Sequence, residues 1–243
     1  MPTYSETGHA KNVNNFQQLI SFCTGYGATY NPSKATLSLP SLALKHQMAQ
    51  TEMQNWIDAT VNFNNFVNSR MMVFEPLRKL STRLISALSV TNASSEMIKD
   101  AKTINRKIQG KRATEIKAPT NPNTPVPNTI SASQLSYVLQ IEHFSKLIVL
   151  LKSEASYAPN EPELRIAELE TYLTQLNVHN TNVMQSYAAV SNARIKRDAI
   201  LYRVKTGLVD TAMEVKAYIK SLFGTTSDQY LQVKSLPFKN KRS

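Results

Sequence analysis

Two stretches of the chain carry the same residues about 127 positions apart, and this constrains the fold more than any local motif. Asn15-Phe16-x-x-Leu19-Ile20 is similar to His143-Phe144-x-x-Leu147-Ile148 at an offset of 128. Tyr30-x-Pro32 matches Tyr157-x-Pro159 at an offset of 127. The same offset pairs Leu37, Leu39 and Leu42 with Leu164, Ile166 and Leu169, and Ala49, Trp56 and Phe63 with Leu176, Val183 and Val190. It also pairs Asn65 and Arg70 with Asn192 and Arg197. Beyond Pro76 the offset becomes 131, matching Leu77, Leu84 and Leu88 to Leu208, Val215 and Ile219. Periodic leucines recur in any helical bundle, but Tyr-x-Pro and Asn-x-x-x-x-Arg are not periodic and favour a true duplication. A period above 100 residues is too long for a solenoid. It predicts two similar helical units, side by side or sharing one pseudo-twofold core.

The local pattern is helical throughout. Val13, Phe16, Leu19, Ile20 and Cys23 recur at helical spacing over 12–23, and Gly25 and Gly27 are suited to end that helix. A second helix is expected from 36–40 to about Arg70, with Leu42, Ala49, Met53, Trp56, Phe63 and Val67 buried. Pro76 suits an early helical position, and Leu77, Leu80, Leu84, Ile85 and Leu88 carry a third helix. A fourth runs from Glu96 to Gln109 with Gly110 as its stop. In the second half, helices are expected over 135–151 and 207–223. Between them Asn160-Glu161-Pro162-Glu163 reads as a capping box that opens a long helix. Its seam alternates by four and three through Leu169, Leu173, Leu176, Val183, Tyr187 and Val190. No strand alternation and no Asn-Gly or Asp-Gly hairpin signal occurs. The expected class is all-α: long antiparallel helices in an internally duplicated bundle.

The halves meet at 118–133, APTNPNTPVPNTISAS, which holds four of the eleven prolines and no charge. Such a segment favours extended polyproline conformation at about 3.1 Å per residue, long enough to let two copies pack together. The resulting organisation is a polar tail over 1–11, a first repeat over 12–117, the Pro-rich linker over 118–133, a second repeat over 134–224, and a basic tail over 225–243.

Several blocks look like an uncharacterised bacterial family of basic, internally duplicated helical proteins of unknown function. They are KTINRKIQGKR over 102–112, HFSKLI over 143–148 and SNARIKRD over 191–198, with GLVD over 207–210 leading into YIKSLFG over 218–224. The resemblance implies a bacterial helical protein and carries no activity.

Chemistry is sparse. His9, His46, His143 and His179 lie apart from one another and from Cys23, so the usual zinc spacings are missing. Gly25-Tyr26-Gly27 lacks the third glycine of a dinucleotide loop. Cys23 sits on an apolar face, where cysteine behaves as a small hydrophobe. No convergent polar set points to an enzyme, and no metal or cofactor is expected. The longest apolar run, Leu147 to Leu151, cannot cross a bilayer that needs about 20 residues. A cytoplasmic location is the expectation, since residues 1–11 lack an apolar signal core.

Net charge is +11, which points toward an anionic partner. The charge concentrates over 99–117. Lys99, Lys102 and Arg106 share one helical face, opposite Met97, Ala101, Ile104 and Ile108. Lys107, Lys111, Arg112 and Lys117 extend it, against only Asp100 and Glu115. Such a stripe can neutralise phosphates without reading sequence, and it is also what the solvated outer face of a bundle helix looks like. A second basic set comprises Arg70, Arg78, Lys79, Arg83, Arg194, Lys196, Arg197 and Arg203. Of these, Arg194 and Arg197 continue the apolar seam as buried partners for Asp198 or Asp210. Three functions are compatible with these features: a nucleic-acid or other polyanion binder, an assembly protein packing against itself or another helical protein, and a membrane-acting pore former.

Overall fold

A computed structural model describes residues 7–110 and 135–240. The described residues are helical, with no strand. The helices are α1 (Thr7–Gly25), α2 (Leu39–Phe74), α3 (Leu77–Ser89), α4 (Ser95–Gln109), α5 (Tyr137–Lys152), α6 (Ile166–Tyr202), α7 (Leu208–Phe223) and α8 (Asp228–Lys234). The Pro-rich linker lies outside the described residues.

The chain divides into two compact units, each drawn from both halves of the sequence. One contains 1–63 and 186–243, the other 64–185. The division falls inside α2 and α6, so both long helices contribute to both units.

In the first unit the core is built from one face of α1, the start of α2, the end of α6, and α7. Phe16, Leu19, Cys23, Leu42, Leu208, Ala212, Val215 and Ile219 are fully buried there. The Tyr30 hydroxyl donates to Leu37 O at 2.8 Å across the turn that leads into α2. Tyr218 of α7 meets the Tyr30 ring edge-on, centroids 5.4 Å apart, and its hydroxyl accepts from Asn31 N at 3.2 Å. Burial pushes the Cys23 thiol up to about 12, so it stays protonated at neutral pH.

Two expectations change here. α1 starts at Thr7, inside the segment expected to be a polar tail. The segment after Gly224 is likewise ordered. Ser227 caps α8 by accepting from Tyr230 N, and Val233 and Leu236 are buried. The buried amides of Asn12 and Asn15 then hold the extended chain beyond α8. Asn12 donates to Lys239 O at 2.8 Å and accepts from Lys239 N at 3.1 Å, and Asn15 donates to Pro237 O at 2.6 Å. Buried amides need such partners, and the main chain of 237–239 supplies them.

In the second unit α3, α4 and α5 pack with the adjoining parts of α2 and α6. Leu77, Leu84, Leu88, Ala101, Ile108, Phe144, Leu147, Leu151, Leu169 and Leu176 are fully buried. The Tyr157 hydroxyl donates to Leu164 O at 2.9 Å. Arg70 lies 4.0 Å from the Tyr137 ring centroid and donates to Asn180 Oδ1 at 3.1 Å. The Tyr172 hydroxyl donates to Val73 O at 2.7 Å.

The capping box expected at Asn160 does not form. Pro162–Leu164 is a 3-10 turn, no side chain caps it, and α6 begins at Ile166. The cause is the buried pair at this turn. Leu164 must enter the core and its carbonyl must meet Tyr157, which the tighter turn allows. The seam of α6 also differs at one position. Leu169, Leu176, Val183 and Val190 are buried, but Tyr187 is 65% exposed. Of the two seam arginines, Arg197 is buried, bonded to Asp198 at 2.8 Å and stacked over Trp56, whereas Arg194 is exposed. Asp210 accepts instead from Lys205 N at 2.7 Å.

Each tyrosine hydroxyl satisfies a carbonyl at the entry to a long helix. Tyr30→Phe and Tyr157→Phe are each expected to lower stability by about 1–3 kcal/mol, because a buried carbonyl loses its donor. Urea unfolding of the two variants against wild type measures this. His46 and His143 are buried, and burial holds both below the ordinary 6.5, with Lys107 adding to the shift at His143. The unfolded chain therefore takes up protons that the folded chain refuses. Stability is full above pH 6.5 and falls as the pH drops below it, until the folded histidines also protonate. Melting temperatures from about pH 7.5 to pH 5 should show this decline, and His143→Gln should shrink it.

Candidate functional site

α4 is fixed against its neighbours on two sides, and this decides which way its cations face. Ser94 caps its start, accepting from Met97 N at 3.2 Å. Gly110 ends it at φ +71, with both Arg106 O and Lys107 O capped. A Cβ at Gly110 would also meet the end of the Leu135 side chain at 2.6 Å, which would have to shift, and the positive φ strains any other residue here. Ala101 and Ile108 point into the core. Asn105 Oδ1 accepts from the buried Ser81 hydroxyl of α3 at 2.9 Å. One turn on, the Gln109 amide donates to Arg78 O at 2.7 Å and to Thr82 Oγ1 at 3.2 Å. These bonds stitch the end of α4 to the start of α3.

With that register set, Lys99, Lys102 and Arg106 come to the surface together. They line one shallow depression of about 570 Å³ with Thr103 and Asn105, and no carboxylate is among these residues. Arg106 donates to Thr103 Oγ1 at 3.0 Å, which fixes part of the guanidinium within this face. All three cations are exposed. The chemistry available is electrostatic: two flexible ammonium groups and one planar guanidinium that can form a fork to a phosphate.

Lys107 does not join them. Its charge reaches α5 instead: burial chiefly lowers the His143 pKa and Lys107 adds to it, while at Glu142 the Lys146 hydrogen bond is the main lowering cause and Lys107 a minor one. Lys111, Arg112 and Lys117 lie outside the described residues. The second basic set disperses. Arg70 is stacked on Tyr137, Arg83 is paired with Glu163 at 2.8 Å, and Arg197 is buried with Asp198. Arg194, Lys196 and Arg203 are exposed on α6 and just beyond it. The charge pattern alone does not reveal the contribution of α3. Gln109 brings the first turn of that helix, with exposed Arg78 and Lys79, against the end of α4. Its signal is the pairing of Gln109 with the Arg78–Thr82 turn, which only tertiary packing creates.

A second concavity lies elsewhere in this unit. It is a cleft of about 700 Å³ at the end of α3, facing the Tyr157–Pro159 turn, with Arg83, Asn92, Ser156 and Asn160 among its polar lining. Among the described residues, no group of three His, Cys, Asp or Glu side chains is placed to hold a metal ion. No described helix is long and apolar enough to cross a membrane. Comparisons of the chain with protein-family models, with curated proteins and with solved structures gave no match.

Proposed function

We propose that the protein is a non-enzymatic binder of a polyanion, nucleic acid, through the basic face of α4. The observation that carries this is the grouping of Lys99, Lys102 and Arg106 around one depression, with no carboxylate among its described lining residues. Their spacing of three and four residues sets successive cations about one 5.4 Å turn apart. Consecutive phosphates of one strand can therefore be met in turn.

We further read the binder as an internally duplicated bundle of antiparallel helices, joined through 118–133. Matching burial supports this. Phe16 and Phe144, Leu19 and Leu147, Leu42 and Leu169, Leu77 and Leu208, Leu84 and Val215, and Leu88 and Ile219 are fully buried in both members of each pair. Tyr30 and Tyr157 each bond the carbonyl seven residues on. Arg70 and Arg197 each stack on an aromatic ring. Within each unit the two long helices touch with opposing residue order. Trp56 meets Arg197 and Phe63 meets Tyr187 in one unit, while Arg70 meets Asn180 and Val73 meets Tyr172 in the other.

A gel-shift or fluorescence titration at low salt tests the binding. Labelled duplex DNA or RNA is expected to bind without sequence preference. Three phosphate contacts give a slope of log K on log salt of about −3. Reversal of Lys99, Lys102 and Arg106 to Glu should abolish binding while Lys107→Glu costs little. Absence of binding at low salt would overturn the proposal. A second reading, assembly through exposed helix faces, is favoured by Tyr187 and Ile195 on α6, which are 65% and 64% exposed and two turns apart. Light scattering across a wide concentration range decides it: a mass that rises from monomer toward dimer supports this reading, and a constant monomer mass removes it.

A further inference from the structure

The two tyrosine turns have different surroundings, and the difference is the size of one aromatic ring. In the first unit the turn from Tyr30 to Pro32 is covered by Tyr218 of α7. That ring meets Tyr30 edge-on at 5.4 Å, and its hydroxyl takes the Asn31 N–H at 3.2 Å. In the second unit the turn from Tyr157 to Pro159 faces α3. The offset of 131 that matches Leu84 to Val215 and Leu88 to Ile219 matches Tyr218 to Ala87. Ala87 is half-buried and lines the 700 Å³ cleft together with Tyr157 and Ala158. The ring that closes one turn is therefore replaced at the other by a methyl group, and an open cleft stands in its place.

The rest of the local frame is kept. Both tyrosines donate to a leucine carbonyl. Both facing helices hold the turn by an ion pair, Glu214 to Lys34 at 2.6 Å in one unit and Arg83 to Glu163 at 2.8 Å in the other. Glu214 and Arg83 are matched by the offset of 131, whereas Lys34 falls on Glu161 at the offset of 127, two residues before Glu163. The cleft is thus not a gap left by poor packing. Its floor and its flanking helix are those that seat a phenol ring in the other unit.

We propose that this cleft is a binding site for a phenolic ring, the group that the first unit supplies from its own chain as Tyr218. The inference rests on the duplicated reading above. The ring sits against Ala87 and Tyr157, with edge-to-face geometry as the aromatic quadrupoles prefer. Its hydroxyl oxygen accepts from Ala158 N–H, the counterpart of Asn31 N–H, which otherwise turns back to Ser156 O at 3.1 Å. Whatever substituent the ring carries meets the amides of Asn92 and Asn160 and the guanidinium of Arg83. The cleft is far larger than one ring, so the phenol belongs either to a small molecule or to a tyrosine of a partner protein.

Titration of the full-length protein, followed by amide shifts of Ala87 and Ala158, tests this. Phenol is expected to give saturable shifts at these residues, and toluene, which lacks the hydroxyl, at least about tenfold weaker ones. N-acetyl-tyrosinamide is the second arm. Tighter binding than phenol assigns the site to a tyrosine side chain, and equal or weaker binding assigns it to a small phenol. Ala87→Tyr should occupy the ring position against Tyr157, raise the melting temperature and remove phenol binding. Tyr218→Ala should open a matching site at Tyr30 and move the stoichiometry from one to two. If Ala87→Tyr is stable but wild type shows no saturable shift with either probe, the ligand proposal fails and the duplicated reading stands. If Ala87→Tyr destabilises the fold, the positional match fails and the proposal falls with it.

Discussion

Everything in each unit hangs on a tyrosine hydroxyl buried beside the carbonyl it serves. A tight turn delivers the chain from a short helix into a long one, and its carbonyls face inward where no water reaches. Tyr30 meets Leu37 O and Tyr157 meets Leu164 O, each with its ring nearly out of solvent. The bond fixes how far the turn must tighten, which is why a 3-10 turn precedes both α2 and α6. It therefore sets the starting phase of both long helices. Phase decides which residues of a helix with 36 or 37 residues face inward, because an error of one residue rotates the buried stripe by about 100°.

Along those helices the stripe is not purely apolar. Arg70 and Arg197 enter it, each laid over an aromatic ring and each with an oxygen partner. A guanidinium is more weakly hydrated than an ammonium, so it tolerates this setting better than lysine would. The arrangement contributes specificity more than stability, since a buried ion regains little of its desolvation cost. A bundle of leucines alone could slide by a heptad, whereas a planar cation that must find both a ring and an oxygen can seat in few registers.

The apolar spacing of the sequence is enough to place α2, α3, α4, α5 and α7 within a few residues, because three-and-four periodicity is a local property. It also places Lys99, Lys102 and Arg106 on one face. It fails where tertiary demands override local signals. Asn160-Glu161-Pro162-Glu163 has the residues of a capping box, but Leu164 and its carbonyl are claimed by the core. Tyr187 fits the heptad, yet it stays 65% exposed with its ring tilted against Phe63 of α2. Lys107 continues the basic stripe in sequence, although one residue of advance turns it about 100° from Arg106, toward α5. The short α8 does carry a legible start in Ser227-Asp228, with Tyr230 and Val233 at helical spacing. The extended segment after it is held by Asn12 and Asn15, more than 200 residues away, and no local pattern announces that.

The two units share a frame but use it differently, and the difference lies in the segments that come after the matched helices. After α7 the chain makes a seven-residue helix and then lies extended along α1, held by side-chain amides. After α3 it makes a fifteen-residue helix that packs on α5. Asn12 and Asn15 need main-chain partners, and their counterparts at the offset of 128, Gln140 and His143, face a helix whose own main-chain groups are already paired. Gln140 turns to Leu135 O, and His143 is left buried without a hydrogen bond on either ring nitrogen. α4, with fifteen residues, is about two turns longer than the seven-residue α8. The longer helix gains an outer face, and that face is where Lys99, Lys102 and Arg106 stand. The first unit covers its tyrosine turn with Tyr218 and lays the C-terminal segment along α1. The unit that carries Ala87 and α4 presents a cleft and a row of cations. The two turns thus differ by one side chain, Tyr218 against Ala87, and the second lies beside an open cleft.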